Sequence, residues 1–185
     1  MAQLRQSHGR AGMYAADALA AYLGQRVRLE LQSVEEVDEG IFFAAMPGEA
    51  ALVRFRPRSV DRACFLGCDA AIAFALLHAS LGGEGEADSH DHEWTGLEAS
   101  VLSTVAEILL TRLSPVWGPV FDDGVEIAAV RRSLADQEAR SMCDGLVCIA
   151  AFSAEVAQAQ GQLAVCVPSE CVEAGSPSAS AGPEA

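Results

Sequence analysis

Lysine is missing from this sequence. All twelve basic residues are arginines, set against 26 acidic residues, and the formal net charge of the 185 residues is −14. A nucleic acid or an anionic membrane surface would repel such a chain, so neither is expected as a partner. Apolar runs of membrane-spanning length and a signal-peptide core are also missing, which predicts no membrane insertion and a cytoplasmic location.

Cysteine pairs at the spacing of a metal site are missing as well. None of the six cysteines has the C-x-x-C spacing of a zinc knuckle or a redox pair, so free buried thiols are expected. The run His90-Asp91-His92-Glu93 contains ligand residue types. No second cluster accompanies it, and acidic runs of this kind are usually hydrated loops. Neither a metal nor a cofactor is therefore predicted.

What is present is a regular alternation of apolar and polar residues, divided by turn residues. Residues 1–12 are predicted to be loose, 13–23 to form a helix that Gly24 ends, 35–40 to form an acidic turn, and 173–185 to form a disordered tail. The predicted strands cover residues 26–34, 50–56, 62–68, 124–130, 145–152 and 162–167.

Arginines alternate along the second predicted strand. Arg54, Arg56 and Arg58 would line one outer face as a basic stripe. A solvated strand surface is one interpretation of this stripe, and a partner contact on an otherwise acidic body is the other.

Residues 69–85, DAAIAFALLHASLGGEG, predict a buried helix that ends in a glycine turn. Asp69 is the predicted N-cap, and Gly82 is predicted to take the left-handed position after the last turn. The segment Gly82-Gly83-Glu84-Gly85 has little side-chain bulk, so another surface can approach its main chain. Glycines of this kind also form plain solvent turns, which is the alternative meaning.

Another helix is predicted to start at the capping box Thr95–Glu98 and to end at Ser114-Pro115. Its predicted buried face consists of Leu97, Val101, Val105, Ile108, Leu109 and Leu113.

The predicted elements repeat. Residues 13–81 and 95–171 each read as a helix followed by three strands, with a second helix or a stub at the end. Neither unit can cover its own sheet. We therefore expect one α/β (α+β) domain over residues 13–172, in which two helix-strand-strand-strand-helix units surround a central sheet with pseudo-twofold symmetry.

The segments in this order resemble the middle domain of the flagellar motor switch protein FliM family, which is related to the CheC and CheX chemotaxis phosphatases. The resemblance covers residues 13–172 and rests on the order and spacing of five segments: RVRLELQSVEEV, FFAAMP, FLGCDAAIAFALLHASLGGEGE, TGLEASVLSTVAEILLTRLSPVW and QLAVCVPSECVEA.

The resemblance implies a non-catalytic motor-switch component. In this family the glycine loop, here Gly82, Gly83, Glu84 and Gly85, contacts the rotor protein FliG. Neighbouring FliM- or FliN-type subunits are further implied partners, and the implied place is the cytoplasmic face of the flagellar basal body. The chain departs from the family where an Asn-Pro-Gln-Phe-like loop is replaced around residues 131–134. Nothing in residues 1–12 resembles the family's CheY-binding peptide. Where the family continues into a ring-forming domain, residues 173–185 are rich in Ser, Pro, Ala and Gly.

A phosphatase acting on phosphorylated CheY, or a degenerate relative that only binds CheY, is the alternative. The related phosphatases use a Glu and an Asn on a helix, after a Ser or Asp. On the predicted helix after Thr95, Ser100 takes the starting position, while Thr104 and Glu107 occupy the other two. The predicted helix after Asp69 has only Ala73, Phe74 and Leu77 in the corresponding region. Without a group that positions the attacking water, no activity is predicted.

Overall fold

A computed structural model describes residues 2–45, 50–83, 93–132 and 145–173. The helices are α1 (Ala2–Leu23), α2 (Glu39–Ala45), α3 (Ala70–Ser80), α4 (Gly96–Leu113) and α5 (Ser169–Glu173). The strands are β1 (Val27–Asp38), β2 (Ala51–Pro57), β3 (Cys64–Cys68), β4 (Val125–Arg131), β5 (Leu146–Val156) and β6 (Ala159–Pro168). All six predicted strands are present.

The strands form one antiparallel sheet in the order β1-β5-β6-β3-β2-β4. Exchanging each strand of the first half with its counterpart in the second (β1 with β4, β2 with β5, β3 with β6) reverses this order and otherwise leaves it unchanged. The predicted α/β class and pseudo-twofold arrangement are therefore confirmed. The two units also interleave, because the first strand of each unit pairs with the middle strand of the other.

The main core lies between one face of the sheet and the helices α1, α3 and α4. Alternation along β2 directs Val53 and Phe55 into this core, while Leu52 lies on the opposite face. Trp117, after α4, is 2% exposed and packs on Phe55 and Phe121, with ring centroids 6.3 and 5.2 Å away. Burial of these large side chains is the main source of stability for the helical layer.

A second, smaller core lies on the opposite face of the sheet, under α2. Phe42 and Phe43 of α2 pack against Phe65 of β3, with ring centroids 6.5 and 5.1 Å away.

The predicted acidic turn at residues 35–40 is wrong. The chain continues in β1 to Asp38, because it pairs with β5 as far as Leu146, and α2 then begins at Glu39.

The predicted loose N-terminus is also wrong for the described residues, because α1 begins at Ala2. His8 is fully buried, and its Nε2 accepts a hydrogen bond of 2.9 Å from the indole N–H of Trp117. The guanidinium of Arg5 donates to the carbonyl of Gln32 at 3.1 Å. A polar and glycine-containing composition suggested disorder here, and contacts with distant parts of the chain determine the helix instead.

Helix α4 begins and ends as predicted, and five of the six residues on its predicted face are buried or half-buried. Leu97 is the exception, since 67% of it is exposed. By length and composition alone, Gly96–Val116 would suffice to cross a membrane, which the sequence pattern did not suggest. Here one face of α4 packs against α1 and β4, as in the core helix of a globular domain.

Candidate functional site

The predicted glycine turn ends α3 as a Schellman motif. Gly82 has a φ of +83°, the left-handed conformation that the sequence predicts for it. Its N–H donates to the carbonyl of Ala79 at 3.2 Å, and the N–H of Gly83 donates to the carbonyl of His78 at 2.8 Å. These two bonds satisfy carbonyls that the end of a helix would otherwise leave unpaired. The turn therefore has a fixed geometry.

The two glycines meet different requirements. A Cβ on Gly82 would have no atom of the described residues within 4 Å, so among these residues only the positive φ disfavours a side chain at this position. A Cβ on Gly83 would lie 3.1 Å from the carbonyl oxygen of His78, which is closer than ordinary contact. Gly82 and the preceding Leu81 are exposed, Leu81 to 59%. Glu84 and Gly85 lie outside the described residues.

Helix α3 holds the turn through an enclosed apolar surface, as its sequence predicts. Seven of its eleven residues are buried: Ile72, Ala73, Phe74, Ala75, Leu76, Leu77 and Ala79. The predicted side-chain N-cap at Asp69 is wrong, because this carboxylate makes no bond to the first turn of α3. Its Oδ2 instead accepts the N–H of Gln162 in β6 at 2.7 Å, and its own N–H donates to the carbonyl of Gln162 at 3.1 Å. Asp69 thus joins the start of α3 to the neighbouring strand.

The capping box at the start of α4 is confirmed in both directions. The N–H of Thr95 donates to Oε2 of Glu98 at 2.7 Å, and the N–H of Glu98 donates to Oγ1 of Thr95 at 3.3 Å. These bonds fix the point at which the chain enters α4.

A buried arginine lies just before this capping box, and sequence reasoning did not single it out. Arg132 follows β4 and is only 6% exposed. Its guanidinium carbon lies 5.4 Å from the ring centroid of Phe74 in α3 and 5.7 Å from that of Trp94. The two rings are 5.1 Å apart, and the main-chain N–H of Arg132 donates to Oε2 of Glu93 at 3.4 Å. A tryptophan directly before a capping box was the available signal, because that position packs back onto its helix.

The positions that correspond to the phosphatase residues separate into an exposed and a buried set. Ser100, Thr104 and Glu107 are exposed on α4, and the hydroxyl of Thr104 donates to the carbonyl of Ser100 at 3.1 Å. Ala73 and Phe74 of α3 are 0 and 1% exposed, inside the core. The whole sequence contains no asparagine. The asparagine that the resemblance implies for the related phosphatases is therefore missing from these 185 residues.

Of the acidic run considered as a metal site, only Glu93 belongs to the described residues. His90, Asp91 and His92 lie outside them. The described ranges contain no group of three or more His, Cys, Asp or Glu side chains with metal-binding geometry.

The cysteines in the described ranges are buried thiols, as the sequence predicts: Cys64, Cys68, Cys148, Cys166 and Cys171. Burial, and secondarily the charge of Asp69, raises the pKa of Cys68 to about 12. Burial, with a smaller contribution from Glu36, raises the pKa of Cys148 to about 11. These thiols stay protonated at neutral pH and have the character of small apolar side chains.

Acidic neighbours neutralise part of the predicted arginine stripe. Arg56 forms ion pairs with Asp61 at 3.1 Å and with Glu126 at 3.0 Å, and the hydrogen bond to Asp61 is the main reason that its pKa is raised. Arg54 is half-buried on the same face of β2, and Arg58 is exposed. The pairing at Arg56 favours the interpretation of a solvated strand surface.

The palindromic strand order, the long helices on one face and the exposed turn after α3 define the class of the protein. It is a pseudo-twofold α/β domain with the fold of FliY and CheX. The family model of the flagellar motor switch protein FliM matches residues 1–178. The chain belongs to the FliM family.

Three solved structures illustrate the likeness. A chain of the FliG–FliM complex from H. pylori is 20% identical with a TM-score of 0.80, and the match covers 92% of this chain and 94% of that one. FliY from Thermotoga maritima is 13% identical with a TM-score of 0.72 and 94% of each chain covered. CheX from Vibrio vulnificus is 12% identical with a TM-score of 0.51, covering 87% of this chain and 98% of that one. These TM-scores show a shared fold. A search of curated proteins gives no match.

Proposed function

We propose that this protein is a non-catalytic component of the flagellar motor switch that binds a FliG-type rotor protein through the Gly82–Gly85 turn. Through this contact it contributes to the control of rotation direction in chemotaxis. Its place is the cytoplasmic face of the basal body, beside neighbouring FliM- or FliN-type subunits. Family membership and the FliG–FliM complex of H. pylori support the partner.

The observation that carries the proposed contact is the open surface at Gly82. The Schellman motif holds its main chain at a fixed position, and no side chain of the described residues lies within 4 Å of the place where a Cβ would project. Leu81 beside it is a large apolar side chain that is 59% exposed. A fixed main chain next to one exposed apolar side chain suits a small contact that needs little reordering on binding.

Helix termination by itself also requires a glycine at position 82, so a test must leave the turn intact. Leu81→Arg does this, because the φ of Leu81 is −92° and its side chain points to solvent. The matched control is Leu146→Arg at the start of β5, since Leu146 is also 59% exposed. We expect Leu81→Arg to weaken FliG binding by about tenfold or more and Leu146→Arg to leave it unchanged, measured by isothermal titration.

The two possible failures are distinguishable. If Leu81→Arg binds as tightly as the unmodified protein, FliG binds elsewhere on the surface. If the unmodified protein does not bind FliG at all, the proposed partner is wrong.

The alternative function is a CheC-type phosphatase, or a degenerate binder, of phosphorylated CheY. The shared fold with CheX is the observation in its favour. The absence of asparagine from the sequence argues against hydrolysis, because positioning of the attacking water provides much of the rate in phosphoryl transfer. We expect the decay of phosphorylated CheY to be unchanged when this protein is added. Faster decay would replace the non-catalytic assignment.

A further inference from the structure

A groove of about 660 Å³ lies between α1 and the end of α4. Ala11 and Ala18 line it on the side of α1, two helical turns apart, and their small side chains leave room above the helix. Pro115 and Val116 line it on the side of α4. None of the lining residues belongs to the glycine turn after α3, so the groove is a separate surface.

The groove is open to solvent along its walls. Six of its ten lining residues are exposed: Arg10, Tyr14, Asp17, Thr111, Arg112 and Pro115. Small-molecule sites enclose their ligands, typically about 70–90% of the ligand surface. A groove with so many exposed walls would leave a small molecule largely in water. Its shape suits a longer ligand that continues beyond it.

A row of side chains extends the groove along α1. Arg10, Tyr14, Ala18 and Tyr22 follow one another at intervals of four residues and therefore lie on one side of the helix. The row is about 18 Å long, which equals about three turns of a second helix lying beside α1. Tyr14 is 60% exposed and Tyr22 48%. Neighbouring exposed aromatic side chains of this kind offer apolar surface to a partner.

The groove carries positive charge on an acidic molecule. Arg10 and Arg112 line it, together with one acidic side chain, Asp17. Neither arginine forms an ion pair with a described residue. Other arginines of the described chain do have acidic partners: Arg26, Arg28, Arg56 and Arg62. The two groove arginines are therefore available to carboxylates of a ligand.

The charges that touch a ligand outweigh the distant ones. The formal net charge of the chain is −14, but at physiological salt charges farther apart than about 8 Å are largely screened. Carboxylates in contact with Arg10 and Arg112 would form charge-assisted hydrogen bonds, which are among the strongest in proteins. Tyrosine and arginine are also residue types that often dominate the binding energy of an interface.

We propose that the groove between α1 and α4 binds an acidic amphipathic helix of a partner protein. The apolar face of that helix lies along Tyr14, Ala18 and Tyr22, and its carboxylates meet Arg10 and Arg112. Helices that bind in grooves bury apolar side chains at intervals of three and four residues, which the row on α1 matches. The inference does not depend on FliG binding at the glycine turn.

The test uses the full-length protein and a synthetic peptide. The chain has two tyrosines, both in this row, so labelling with 3-fluorotyrosine gives two fluorine NMR signals, which Tyr14→Phe assigns. The probe is a helical peptide of about 16 residues, with leucines at intervals of three and four and glutamates beside them. We expect this peptide to shift the Tyr14 signal. The same peptide with lysines in place of the glutamates should leave the signal in place at equal concentration.

The arginines are tested by substitution. We expect the double variant Arg10→Ala, Arg112→Ala to bind the glutamate peptide about tenfold more weakly, measured by fluorescence anisotropy, because the partners of its carboxylates are lost. The matched control is Arg58→Ala, which removes an exposed arginine outside the groove and should leave the affinity unchanged. Circular dichroism confirms that each variant is folded.

Three results would overturn the inference. A Tyr14 signal that the glutamate peptide does not move would show that the groove does not bind it. Equal binding of the lysine peptide, or unchanged affinity in the double variant, would show that the two arginines do not select the ligand. A Tyr14 signal that shifts with protein concentration alone would show that a second copy of the chain covers the groove.

Discussion

At the scale of single residues, the glycines after α3 show how one residue type answers two different demands. Gly82 is favoured by its φ of +83°, and Gly83 is favoured because a Cβ there would lie only 3.1 Å from the carbonyl oxygen of His78. The conformation of the turn by itself therefore explains both glycines, and the glycines alone do not indicate a partner. The exposure of Leu81 and Gly82 is the additional fact that makes the turn a candidate contact.

Gly82→Ala is expected to lower the free energy of unfolding by about 1 kcal/mol, because alanine is strained in the left-handed conformation. The matched control is Gly96→Ala in the first turn of α4. Gly96 has no positive φ, and a Cβ there would meet no atom within 4 Å, so alanine should leave stability unchanged or raise it by up to about 1 kcal/mol. Urea unfolding measures both, and equal effects would contradict the assigned conformation.

The buried thiols give the stability a dependence on alkaline pH. The pKa of Cys68 is about 12 and that of Cys148 about 11, against 9.0 for an unburied thiol. Between about pH 9 and 12 the unfolded state loses thiol protons that the folded state keeps. Stability is therefore complete below about pH 9 and declines above it. Urea midpoints measured from pH 7 to 11 should show this decline, and Cys68→Ala should make it shallower. An unaltered slope in that variant would refute the contribution of Cys68.

At the scale of elements, the placement of α3 depends on a close approach between the Asp69 segment and the β5–β6 hairpin. A Cβ on Gly161 would lie 2.8 Å from Oδ2 of Asp69 and 2.8 Å from Cγ1 of Ile72. The carboxylate that seemed from sequence to cap α3 is in fact bonded to β6. The local pattern predicts that a polar residue stands at the start of the helix, but it cannot identify the strand that lies within reach.

Gly161→Ala should therefore push α3 away from β6 and reduce the free energy of unfolding by about 1–3 kcal/mol. Gly145→Ala, just before β5, is the control, since a Cβ there meets no atom within 4 Å. Chemical denaturation followed by circular dichroism compares the two variants. If both are as stable as the unmodified protein, α3 and the hairpin are not packed as tightly as described.

At the scale of the whole molecule, the strand order makes the two halves interdependent. β1 pairs with β5 along eleven residue pairs, and β4 pairs with β2. Each half therefore has a first strand whose partner is in the other half. In two independent repeats, the strands of each half would pair only with one another. In this sheet, strands of the two halves pair with each other instead.

Fragments covering residues 1–83 and 93–173 are accordingly expected to be unfolded when separate and to form a folded one-to-one complex when mixed. Backbone NMR of each fragment, alone and with the other, tests this expectation. A folded pattern from either fragment alone would show that the interleaved strands are not needed for its stability.

The sequence by itself determined the elements whose signals are local. The capping box at Thr95, the left-handed Gly82, the alternating β2 and the apolar α3 all follow from neighbours within a few residues, so their patterns could be interpreted directly. The pseudo-twofold repeat and the resemblance to the FliM family followed from the order of these elements.

Only the tertiary structure decided the features that join distant parts of the chain. The helix at residues 2–12 depends in part on Trp117, the continuation of β1 to Asp38 depends on β5, and the role of Asp69 depends on Gln162. The enclosure of Arg132 by Phe74 and Trp94 likewise brings together three separate segments. Free energy from contacts across the fold overrides weak local preferences, because local preferences amount to less than about 1 kcal/mol per residue while packing of a buried side chain contributes more.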